Sequence, residues 1–488
     1  MTSTSIVDLN EDWRLGDGRL YSRLASALGR QIAQGALAAF TTLPPERSVA
    51  KQLRVSRTTV VAAYQVLRRQ GLLETRRGSG TWVTAAQPRD AEDAMNANAS
   101  LDSSRSPELV NLSKQDASTI SFAMANLPAL DLVSQTLSSL HDDPEMARCL
   151  RTHGYVGCGL PKLRQTIAAH YGNQGLPSTQ EQILVTTGAQ QAISLVASLF
   201  VSHGDTVIVE DPTYSGAIDA FRTAGARLVV VPFDSDGSLC IDVLRTLAMR
   251  TRPRLIYVVP VHNPTGAIMD DDVKREIAHL STSLGVPVLE DLTLSHVTLA
   301  GGPSSAIAVH DQSADVISVE SVSKVLWGGL RVGWIRAQAS TAQQLSRAKA
   351  AADLGSPLVS QIVATRLLPQ MPEIENRVRE RASPRLELLT RLLSNLLPEW
   401  RWNRPMGGLS LWVRIPRGSA TDFCKTALDH GVRVVAGPTL SPDGHHDDHL
   451  RIAYVLDQEQ TEQGVRRLAD AWKAYQSVAN STRFAVVV

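Results

Sequence analysis

No stretch of this 488-residue chain approaches the roughly 18 to 20 consecutive apolar residues that a membrane-spanning helix needs. The opening MTSTSIVDLNEDW lacks a basic segment running into an apolar one, so no secretory leader is expected. Cysteine is nearly absent. Cys149, Cys158, Cys240 and Cys424 form no C-x-x-C pair, which argues against a disulfide framework or a zinc knuckle. Aromatic residues make up 5% and lysines number eight. What remains, 43% hydrophobic and 20% charged, is ordinary globular composition for a cytoplasmic protein of about two to four domains.

The net charge of +1 conceals an asymmetry. Between Arg19 and Val83 eleven Lys and Arg face only Glu46 and Glu74, a net of +9 that leaves −8 for the rest of the chain. A basic unit on an acidic chain is the electrostatic footprint of nucleic-acid binding.

Spacing divides the chain into an N-terminal unit over 15–84, a flexible Ala, Asn, Asp and Ser-rich linker over 85–109, and a large unit over 110–475. In the large unit, strand-like runs at 182–186, 206–209, 228–231, 255–259, 286–289 and 316–319 alternate with amphipathic helical stretches. That alternation predicts an α/β lobe with a mostly parallel sheet. From about Asn376 a long helix and short strands near 409–415 and 450–454 predict a smaller α+β lobe.

In the basic unit, Leu20, Leu24, Leu28 and Ile32 form one apolar stripe of a first helix. Pro45 opens a second helix with Val49, Ala50 and Leu53 inward. Ser56 caps a third, which turns Val60, Tyr64 and Leu67 inward and carries Arg57, Thr58 and Thr59 at the end that faces DNA. After Gly71, LLETRRGSGTWV reads as a β-hairpin wing with a basic tip.

The stretch LPPERSVAKQLRVSRTTVVAAYQVLRRQGLLETRRGSGTWV resembles the winged helix-turn-helix of GntR-type bacterial regulators. ALAAFTTLP departs from that pattern, standing where a Gly-rich turn usually precedes Leu-Pro. By this resemblance Arg47, Ser56, Arg57, Thr58, Thr59, Arg76, Arg77 and Gly78 are the expected contacts to double-stranded operator DNA.

Of the eight lysines, Lys324 has the most suggestive setting: ISVESVSKVLWGGLRVGW places it after a strand, beside Ser321 and Ser323 and seven residues before Arg331. A partly desolvated lysine amine is a nucleophile towards carbonyls, and the hydroxyls and arginine suit a phosphate. GAQQA opens a helix whose free N–H groups at Gly188, Ala189 and Gln190 suit the same phosphate. EDPTYSG sets Tyr214, PVHNPTG sets Asn263 and LEDLTLSH sets Asp291 at successive strand ends; a carboxylate there can keep a pyridine nitrogen protonated. Each has a structural explanation alone; the ordered set of five does not. The DGHHDDH run, with His445, His446 and His449, reads as a polar loop rather than a metal site, and no metal is expected.

This order resembles the fold-type I pyridoxal-phosphate enzymes of the class I aminotransferase group over roughly 110–475. The resemblance implies pyridoxal 5′-phosphate as cofactor, with Lys324 as the catalytic lysine that holds it covalently. Asp291 would pair with the ring nitrogen, Asn263 with the ring oxygen, and Tyr214 would stack on the ring. Gly188, Ala189, Gln190, Ser321, Ser323 and Arg331 would hold the phosphate. Tyr155 would reach the phosphate of a neighbouring subunit, which implies a homodimer, and Arg451 would grip a substrate carboxylate. In many relatives a tyrosine that donates to the ring oxygen stands two residues after the aspartate; Thr293, a shorter side chain, stands there here.

Winged helix, linker and aminotransferase-like domain together resemble the MocR/GabR-type transcription regulators. The expected function is a pyridoxal-phosphate-dependent regulator that senses the cofactor or an amino acid or amine effector, with no membrane partner. The alternative is a working aminotransferase with an accessory DNA-binding domain.

Overall fold

The computed structural model describes residues 21, 23–25, 27–28, 41–53, 55–69, 73–76, 80–83, 118–234 and 237–484. The chain divides into two compact units between Ser104 and Arg105.

In the first unit, strand β1 (Thr42–Leu43) leads through Pro44 and Pro45 into a helix over Glu46–Leu53, and a second helix runs over Arg57–Arg69. β2 (Leu73–Arg76) and β3 (Gly80–Val83) pair antiparallel, with Arg76 opposite Gly80, and β1 lies on the other side of β3. Leu24, Leu28, Val49, Leu53, Val60, Tyr64 and Leu67 share one core, as their spacing requires. Tyr64 donates from its hydroxyl to the Pro44 carbonyl (3.2 Å), tying the recognition-type helix to the start of the preceding one. Leu20 and Ile32 of the predicted first stripe lie outside the described residues.

The second unit begins with β4 (Ile120–Ser121). Its large sheet contains β5 (Ile183–Thr186), β6 (Thr206–Asp211), β7 (Arg227–Pro232), β8 (Leu255–Val258), β9 (Val288–Asp291), β10 (Val316–Ser321) and β11 (Gly333–Arg336). The spatial order is β5-β11-β10-β9-β8-β6-β7. β11 runs antiparallel to both neighbours and the other pairs are parallel. Ile256, Val288 and Trp334 pack on one face, and Tyr257, Leu289, Ile317 and Ile335 on the other, each face covered by helices. The C-terminal ends of β5, β6, β8, β9 and β10 therefore share one edge, where open α/β sheets place their ligands.

A smaller antiparallel sheet has the order β12 (Arg401–Trp402), β13 (Ser410–Arg414), β16 (His449–Ala453), β15 (Val435–Ala436). It follows the long helix Met371–Leu396, and β14 (Val432–Arg433) pairs with β4. Among the described residues no helix is long and apolar enough to cross a membrane.

Candidate functional site

At the shared sheet edge, Thr186 lies opposite Gly333, and Gly333 opposite Ser321. Gly188 follows with φ +86 and is the N-cap of the helix Ala189–Phe200. A Cβ on Gly333 would stand 2.9 Å from the Gly188 Cα, so Gly333 is required by close approach of backbone, and Gly188, whose Cβ would meet only the end of the Arg331 side chain, is required by its positive φ. Arg331, exposed and itself in the left-handed region (φ 52), donates to the Thr187 carbonyl (2.7 Å). Ser321 donates to the Val332 carbonyl (2.9 Å) and sits 2.8 Å from the Ser323 hydroxyl. A helix N-terminus, two hydroxyls and a guanidinium thus lie on adjoining segments of this edge, a donor set that suits a phosphate dianion.

Next to this cradle, Gln190 donates to the Gly216 carbonyl (2.8 Å), and a Cβ on Gly216 would meet the Tyr214 ring at 2.6 Å. Tyr214 is the N-cap of the helix Ser215–Thr223.

Asp291, 5% exposed, ends β9. The Tyr257 hydroxyl donates to its Oδ2 (3.0 Å), while the Thr293 amide (2.9 Å) and the Thr293 hydroxyl donate to its Oδ1. Burial pushes the Asp291 carboxyl above its ordinary value, opposed by these three donors and by the charge of Lys324. A protonated ring nitrogen would supply the hydrogen-bonded cation that none of those three donors provides. The cradle and this carboxylate fit pyridoxal phosphate.

Lys324 Nζ donates to the Ala125 carbonyl (3.0 Å) and to Asn126 Oδ1 (2.6 Å). Two residues earlier, the Ala123 carbonyl accepts from Arg451 Nη2 (2.6 Å). Arg451, on β16 between Trp412 and Val435, is 0% exposed. One short segment therefore contacts both the lysine and the arginine. Asn263 lies beyond the end of β8 beside a cis bond to Pro264, and the hydrogen bonds just described do not reach its side chain. Tyr155 is 63% exposed and stacked on His153 (5.8 Å, 25°), away from the cradle contacts just described.

Sequence reasoning missed Tyr257, Ala125 and Asn126. Tyr257 reads as one apolar strand position in LIYV, and only the pairing of β8 with β9 brings its hydroxyl to Asp291. Asn126 is 198 residues from Lys324, with no local signal. The DGHHDDH loop is spent on structure: His445 binds Asp211 (2.9 Å), Asp447 accepts from Thr421, and Asp448 pairs with Arg414.

In the first unit, Ser56 accepts from the Thr59 amide (3.1 Å) and contacts the Thr58 and Thr59 hydroxyls, which makes it the cap of the second helix. Arg47, Ser56, Arg57 and Thr58 are exposed and Thr59 is half-buried. Arg76 lies in β2; Arg77 and Gly78 lie outside the described residues.

Residues 124–468 match the family described as "Aminotransferase class I and II", and residues 20–83 match "Bacterial regulatory proteins, gntR family". The chain is 32% identical to the LysN α-aminoadipate aminotransferase of Thermus thermophilus, solved with N-(5′-phosphopyridoxyl)-L-leucine. That match covers 74% of this chain and 94% of LysN at a TM-score of 0.67. It is 27% identical to the uncharacterized HTH-type transcriptional regulator YdfD of Bacillus subtilis, over 92% of this chain and 95% of that protein. It is 31% identical to the probable rhizopine catabolism regulatory protein MocR of Rhizobium meliloti, over 66% of each.

Proposed function

The chain belongs to the aminotransferase class I and II family and carries a gntR-family head, and on that premise we propose that it is a MocR-type transcription regulator. Its head binds operator DNA, and its large unit uses pyridoxal 5′-phosphate to detect an amino acid or amine in the cytoplasm. The observation that supports this reading is that one chain joins a basic winged helix to an aminotransferase-type sheet whose edge carries Lys324, Asp291 and Arg331.

When bound, the cofactor supplies an aldehyde that captures primary amines and a ring that withdraws electrons. Asp291 would hold the proton on the ring nitrogen, its two oxygens kept in position by Tyr257 and Thr293. Thr293 thus serves the carboxylate, and a tyrosine hydroxyl from the neighbouring strand, Tyr257, joins it there. Gly188, Ala189, Gln190, Ser321, Ser323 and Arg331 would anchor the phosphate, Tyr214 and Asn263 would contact the ring, and Lys324 would hold the aldehyde carbon. Arg451 would take the effector carboxylate in a bidentate pair. Two such chains would form a dimer in which Tyr155, a large exposed aromatic, serves the partner's site.

For an effector to change DNA binding it must interact differently with two arrangements of the dimer, since equal affinity shifts nothing. The test is the visible absorbance of the purified protein as amino acids and then keto acids are added, read alongside operator binding. A band that one compound shifts once, with a matching change in DNA affinity, is the expected result. Sustained keto-acid turnover with unchanged DNA affinity would instead make the large unit a working aminotransferase.

A further inference from the structure

We propose that His170, His296 and Glu320 form a binding site for one divalent transition-metal ion, with zinc the ion that suits the donors. His170 lies on the helix Pro161–Asn173, His296 follows β9 five residues after Asp291, and Glu320 is on β10, four residues before Lys324. His296 and Glu320 are buried and His170 is nearly so.

The three donor atoms form a compact triangle. His170 Nε2 and His296 Nε2 are 3.2 Å apart, His296 Nε2 and Glu320 Oε1 2.9 Å, and His170 Nε2 and Glu320 Oε1 3.7 Å. The point equidistant from all three lies about 1.9 Å from each, close to the roughly 2.0 to 2.2 Å of Zn–N and Zn–O bonds. Two imidazoles with a carboxylate form a borderline donor set that favours zinc over the oxygen-seeking magnesium or calcium.

The surroundings support the same assignment. Glu375 Oε1 lies 2.6 Å from His296 Nδ1, an outer carboxylate that takes the far N–H of the imidazole and leaves Nε2 to face the ion. Glu320 and Glu375 both lie within ion-pair distance of His296, so a divalent cation would take over a charge balance that this imidazole otherwise has to supply. The fourth tetrahedral position falls to water, and the Gln174 carboxamide, whose nitrogen stands 3.0 Å from His170 Nε2, would turn aside when that nitrogen binds the ion. An ion here would fasten the segment after Asp291 to the strand before Lys324.

The test uses tag-free full-length protein, stripped with a chelator, dialysed, and titrated with Zn²⁺ or Co²⁺ alone. We expect about one equivalent bound per chain and, for cobalt, the intense visible bands of tetrahedral coordination. Glu375→Gln, a mild change outside the donor triangle, should weaken binding about 10- to 100-fold, and His296→Gln or Glu320→Gln should abolish it. His445→Ala, in the polar loop, should leave the stoichiometry unchanged. The proposal is overturned if the stripped wild-type protein takes up no metal. It is equally overturned if binding survives His296→Gln and Glu375→Gln or disappears with His445→Ala.

Discussion

In the N-terminal unit the groups offered to a partner, Arg47, Ser56, Arg57 and Thr58, stand exposed around the start of a capped helix. In the C-terminal unit Asp291 and Arg451 are buried, each held by hydrogen bonds. Exposed charges cost little to present, act additively, and are screened by salt. Buried charges are costly to create and so depend on every partner. The contrast separates reading a polyanion from holding one small molecule in one orientation: the first needs many cheap contacts, the second a few over-determined ones.

The largest effect expected is in the buried site. Lys324→Ala should abolish cofactor that borohydride can fix covalently to the chain, measured by mass spectrometry, and should remove the effector response of DNA binding. An unaltered effector response in that variant would dissociate the two units. Asp291→Ala should weaken cofactor binding by about 100-fold, about 3 kcal/mol, because a buried charge-assisted bond is lost. Fluorescence titration with pyridoxal phosphate measures this, and a loss below about threefold would place Asp291 outside the binding contacts.

Glu290 sharpens the comparison because it neighbours Asp291 yet faces the other side of the sheet. Ser318 and the Ile307 amide, both at 2.6 Å, donate to its carboxyl, while burial pushes the carboxyl up to about 7. Between pH 4.5 and 7 the folded chain therefore keeps a proton that the unfolded chain has released, so stability falls as pH rises through that window. Glu290→Gln should flatten the fall by up to about 3 kcal/mol, read as melting temperature against pH. Parallel wild-type and variant curves would refute it.

In the exposed unit the steps are smaller. Arg57→Ala should weaken operator binding by about 1 to 2 kcal/mol and reduce the log–log salt slope by about 1, measured by fluorescence anisotropy at several salt concentrations. An unchanged slope would remove Arg57 from the phosphate contacts. Thr293→Val should raise the cofactor dissociation constant only about fivefold, since Tyr257 and the backbone amide still hold Asp291. A loss as large as that of Asp291→Ala would make the threonine hydroxyl the dominant support.

Much of both units was legible because local patterns coincide with tertiary demands. Val60, Tyr64 and Leu67 announce a buried helix face and occupy one. Ser56 reads as a cap and acts as one. The strands ending at Asp291 and Ser321 extend two residues beyond their predicted ends, because the polar residues that close them still pair in the sheet. β11 was missed: GWIR is too short to show alternation, and its antiparallel place in the sheet has no local signature. The same limit hid Asn126 and Tyr257, whose roles depend on partners 198 and 34 residues away. The histidine pair His170 and His296 gave no signal, since helix, turn and strand meet there only after the sheet is assembled.

The segment 123–126 is a strap between the two larger sheets of the second unit. Its carbonyls at Ala123 and Ala125 and the Asn126 side chain accept from the Arg451 guanidinium and the Lys324 amine. Four consecutive residues thus tie the lysine beyond the large sheet to the arginine within the small one, so that the two side chains share one support.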